Sequence, residues 1–95
     1  MMAALLEVSG KSHLVLPDSG RLDFTIQQLQ ELVNSPFITV IPAKRLGQDI
    51  FIVASEDGFE KDRPFHPEAS RDAGRALYGN VVLAQFEELG GAKEI

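Results

Sequence analysis

Five side chains in one stretch could act together: Lys61, Arg63, His66, Arg71 and Arg75. If the segment after Pro67 is helical, Arg71 and Arg75 stand four apart and project side by side. Two parallel guanidinium groups form a fork for a phosphate or a carboxylate. Such a cluster would capture a nucleotide or another anion, as a signal sponge does, with the site between the subunits of a homodimer. Glu68 and Asp72 lie on the same segment and could pair with these cations instead. The cluster would then be an ordinary set of surface salt bridges.

Carboxylates make the second constellation. Glu56, Asp57, Glu60 and Asp62 crowd one segment, and Glu87 and Glu88 precede a tail that also holds Glu94. The first group does not have the spacing of a twelve-residue calcium loop. Lys61 and Arg63 interleave with it, which suits a solvated loop. The functional alternative is an acidic face that occupies a partner's Lys- and Arg-lined nucleic-acid channel. On that reading Glu56, Asp57, Glu60, Asp62, Glu87 and Glu88 bind the partner.

Little in the chain points to catalysis. It has no cysteine, which removes thiol chemistry, disulfides and thiolate metal sites. Its two histidines, His13 and His66, are far apart and specify no metal site. Ser9-Gly10-Lys11-Ser12 echoes the end of a phosphate loop but lacks the preceding glycine spacing, so it reads as a turn. No serine sits in a nucleophile elbow. The expectation is a protein that is not an enzyme and uses no cofactor or metal.

Ninety-five residues make a single domain, 1–95, with 89–95 as a frayed tail after Gly90-Gly91. So short a chain has a modest core, and a homodimer would add to it. The formal net charge of −5 opposes direct binding to nucleic acid. Met1–Leu6 is apolar but too short for a membrane span and lacks a basic flank. A cytoplasmic protein with no membrane association is expected.

These residues must be positioned by a small set of elements. Ala3–Val8 and His13–Leu16 read as a β-hairpin. Thr25 with Gln28 fits a capping box, and Phe24 with Leu29 fits a hydrophobic staple. Ile26, Leu29, Leu32 and Val33 then recur at helical spacing until Pro36 forbids more. Phe37–Ile41, Asp49–Ala54 and Val81–Phe86 read as strands. Phe59 and Phe65 lie in a polar loop and look buriable. Pro67 can open a short helix reaching to about Leu77, weakened by Gly74. The order β-β-α-β-β-α-β predicts an α+β fold: a mostly antiparallel sheet of about five strands with one main helix on one face. The continuous apolar runs of the central strands lean toward cover on both faces.

The motif order resembles a family of small phage and mobile-element proteins of unknown function. The matching stretches are Leu29-Gln30-Glu31-Leu32-Val33, Phe37–Pro42, Ile50–Ala54 with Ser55-Glu56-Asp57-Gly58, His66-Pro67-Glu68-Ala69, and Tyr78–Leu83. The chain departs from the family pattern at Asn34-Ser35, where Gly-Gly is favoured, and at His66, where Asn is favoured. The resemblance supplies no catalytic residues. It implies an accessory protein acting in a host bacterial cell. By analogy, its partner would be a host or defence-system protein that it binds and blocks, as an anti-CRISPR does.

Overall fold

The computed structural model describes residues 3–95; the first two residues of the apolar Met1–Leu6 run lie outside them. The elements are β1 (Ala3–Leu6), β2 (Ser12–Val15), α1 (Ile26–Val33), β3 (Ile38–Pro42), β4 (Ile50–Ser55), α2 (Pro67–Ala73), β5 (Val81–Gln85) and a 3₁₀ segment, Phe86–Glu94. The strands form one antiparallel sheet in the order β2-β1-β5-β4-β3. The α+β class and the order of the first seven elements are those expected.

A three-residue turn with Gly10 at φ +97° joins β1 to β2. The Glu7 and Gly10 amides donate to the Lys11 and Glu7 carbonyls, at 2.8 and 2.9 Å. This pattern sets the hairpin register, Leu6 opposite Ser12 and Leu5 opposite His13.

Strand alternation then divides the apolar residues between two cores. Val53, Val82 and Ala84 face one side, with Phe24, with Leu29 and Val33 of α1, and with Leu89 and Ala92 of the 3₁₀ segment. Ile52, Ala54 and Val81 face the other, with Leu6, Ile41, Ala69 of α2 and Leu77. Both faces therefore carry cover, where one main helix on one face was expected. The lean drawn from the continuous apolar strands was the better guide.

The C-terminal residues correct a second expectation. Residues 89–95 do not fray: Leu89 and Ala92 are fully buried. The Phe24 amide donates to the Glu88 carbonyl at 2.8 Å. Gly90 has φ +57°, and a Cβ there would meet the Phe24 carbonyl oxygen at 2.4 Å. The glycine that reads as a fraying signal instead lets the chain press against the start of α1.

Candidate interaction surface

The loop after β4 is built by turn chemistry. The Lys61 amide donates to the Asp57 carbonyl at 3.1 Å, and that of Arg63 to Gly58 at 3.0 Å. The Ser55 hydroxyl donates to the Asp57 carboxylate at 2.9 Å and lies 3.1 Å from the Ser35 hydroxyl. A Cβ on Gly58 would meet Tyr78 Cβ at 2.9 Å, so this glycine lets the loop lie flat against Tyr78. Phe65 pairs with Tyr78 in an isolated β-bridge. The Gly79 amide donates to the Pro64 carbonyl at 2.7 Å. The loop is tied at both ends and at its middle.

This tied loop displays aromatic rings. Phe59 is 72% exposed and Phe65 48%. Their centroids lie 5.5 and 5.7 Å from that of Tyr78, in tilted and edge-on contact. Phe37, also exposed, stands at the same end of the sheet, where its carbonyl accepts the Glu56 amide at 2.9 Å. Neither loop phenylalanine is buried as the sequence suggested. The signal was available in local pattern: Phe59 is flanked by Gly58 and Glu60, and Phe65 lies between prolines.

The acidic residues do not form one face. Glu56 follows the end of β4, while Glu87 and Glu88 follow the end of β5, and these strands run antiparallel with Ile50 opposite Gln85. The two groups lie at opposite ends of the sheet, roughly 20 Å apart by strand rise. Asp57 is engaged by Ser55. Glu88 accepts the Gln85 amide at 2.8 Å as a helix cap. Glu56, Glu60, Asp62 and Glu87 are exposed. The loop end thus combines three exposed carboxylates with the aromatic rings.

The cationic constellation also separates. Arg63 turns inward and donates to the Val33 and Asn34 carbonyls at the C-terminus of α1. His66 is 1% exposed. Its Nδ1 accepts the Ala69 amide at 3.1 Å, and its Nε2 donates to the Leu6 carbonyl at 3.1 Å. It caps α2 and has no free edge for a ligand. Gly74 adopts the left-handed conformation and ends α2, so Arg75 is off the helix and the side-by-side fork with Arg71 is not built. Lys61, Arg71 and Arg75 are exposed. Arg71 and Arg75 make no ion pair with Glu68 or Asp72; the ion pairs among the described residues are Glu7–His13 and Arg21–Asp23.

Among the described residues no three His, Cys, Asp or Glu side chains gather as metal ligands, and no helix is long and apolar enough to cross a membrane. No family model, curated protein or solved structure matches the chain.

Proposed function

We propose that this protein is a non-enzymatic binding module that docks a partner protein through the 56–65 loop, with Phe59 and Phe65 as anchors and Glu56, Glu60 and Asp62 as an acidic rim. The observation that carries this reading is the 72% exposure of Phe59 on a loop held by backbone bonds and by Tyr78. Exposed aromatics on a rigid support lose little entropy on binding and dominate interface energetics. A charged rim around them steers association with a basic partner. The family resemblance supplies the partner class, a bacterial defence protein that this accessory protein blocks. Two departures from the family pattern are compatible with the resemblance. Asn34 takes the left-handed conformation that glycine favours, at φ 56°, and His66 caps its helix as asparagine does.

Occlusion by a single acidic face is less well supported than docking at one end, because Glu87 and Glu88 lie at the other. Anion capture loses Arg63 and His66 to structural roles, and the groove at the end of α1, lined by Gln27, Gln30, Glu31, Asn34, Ser35 and Pro36, includes none of Lys61, Arg71 and Arg75.

The test is retention from a host bacterial lysate at low salt by the immobilised wild-type chain, F59A, E60K and L22A. Leu22 is 94% exposed, outside the loop, and serves as the control. The reading expects a specific protein held by wild type and L22A and lost from F59A and E60K. Equal retention by all four, or none by any, overturns it.

A further inference from the structure

The free edge of β2 carries an inference independent of the aromatic loop. The Glu7 amide donates to the Lys11 carbonyl, so bonded pairing alternates from there along the hairpin. His13 and Val15, opposite Leu5 and Ala3, direct their backbone groups to β1. Ser12 and Leu14 direct theirs outward, at the edge of the sheet. Leu16 continues this parity, but its carbonyl is taken by the Gln28 amide group at 2.8 Å. The edge therefore offers both backbone groups of Ser12 and Leu14 and the amide of Leu16.

Two large apolar side chains on this edge are uncovered. Leu14 is 62% exposed and Leu16 61%. Leu14 stands in register with Ala4 and, through it, Leu83, on the face that α2 covers only in part. The opposite edge is guarded: β3 ends in Pro42, which has no amide to donate. No proline or inward charge lies within Ser12–Leu16.

We infer that β2 pairs antiparallel with β2 of a second copy, about a two-fold axis at Leu14. The charges select this occupant. Lys11 precedes the strand and Asp18 follows it, and neither makes an ion pair among the described residues. With Leu14 opposite Leu14 of the second copy, Lys11 falls opposite Pro17, next along the chain to Asp18, so that opposite charges approach at both ends of the two-fold pair. The Leu14 groups bond reciprocally, and each Leu16 amide donates to a Ser12 carbonyl. An apolar row then runs unbroken through Leu83, Ala4 and Leu14 into the second copy. The short strand makes this a weak dimer, populated at high concentration.

Sedimentation velocity across a concentration series tests the pairing. The expected result is a monomer–dimer equilibrium that L14K weakens by about tenfold or more, equivalent to about 1.4 kcal/mol. K11D and D18K should each weaken it, and K11D/D18K should restore it, since the swap rebuilds both contacts. Amide exchange gives a second readout: the Leu14 amide should become protected as concentration rises, while those of His13 and Val15 are protected throughout. A monomer at every concentration overturns the inference. So does a dimer indifferent to L14K, or a charge swap without restoration.

Discussion

Arg63 closes the C-terminus of α1 from a loop far along the chain. Its Nη1 donates to the Val33 carbonyl at 3.3 Å, and its Nη2 bonds the Asn34 carbonyl. The last carbonyls of a helix lack partners and carry its negative dipole end. A guanidinium satisfies both needs and fastens the aromatic loop to the helix.

Removing this clamp should cost stability. R63A should lower unfolding free energy by about 1–3 kcal/mol, the range for losing charge-assisted bonds at a partly buried site. R63K should recover only part, because an ammonium cannot bond two carbonyls in a fixed fork. Urea unfolding at neutral pH measures both. An unchanged midpoint in R63A would show that water replaces the guanidinium without loss.

His66 gives a sharper contrast. H66A removes the cap on Ala69, takes one donor from the Leu6 carbonyl and leaves a void, at a cost of about 2–4 kcal/mol. H66N keeps a capping oxygen and should lose distinctly less. Thermal unfolding of the three proteins ranks them. Equal loss in both variants would mean that packing, not the cap, dominates.

The same residues show what a sequence yields and what it hides. Thr25 was legible as a cap because the signal is local, and its hydroxyl accepts the Gln28 amide at 3.0 Å. The second half of that capping box fails: the Gln28 side chain reaches the Leu16 carbonyl instead, a tertiary competitor. The Glu88 carboxylate caps the Gln85 amide at 2.8 Å, a signal hidden by the glycines that follow. Strand positions were legible from apolar runs. The roles of Arg63 and His66 were not, because each bonds a carbonyl brought near only by folding. The acidic residues read as one set until strand direction separated them.

Acid should selectively loosen the hairpin. The hydrogen bond from His13 holds the Glu7 carboxyl below its ordinary value of 4.5, with the His13 and Lys11 charges adding to the effect. A depressed folded-state value means that the contribution is present above the ordinary carboxyl range. It is lost as pH falls through the lowered value. The unfolding midpoint of wild type should therefore fall more than that of E7Q between pH 6 and 3. Superimposable profiles would remove Glu7 from the acid response.

Gly58 and Phe59 should separate the mounting of the loop from its use. A methyl group on Gly58 has no room against Tyr78, so G58A must lift the loop or shift the tyrosine. Its stability should fall by about 1–3 kcal/mol, the usual cost of overpacking. Tyr78 is the chain's single tyrosine, and tryptophan is absent. Near-ultraviolet circular dichroism in the tyrosine band therefore reports on this contact, and G58A should alter it. F59A removes a ring that is mostly in solvent and touches Tyr78 on one side. It should cost under about 1 kcal/mol of stability, as surface truncations do, yet abolish partner retention. If F59A destabilises as much as G58A, the ring serves chiefly to hold the loop, and its exposure no longer argues for docking.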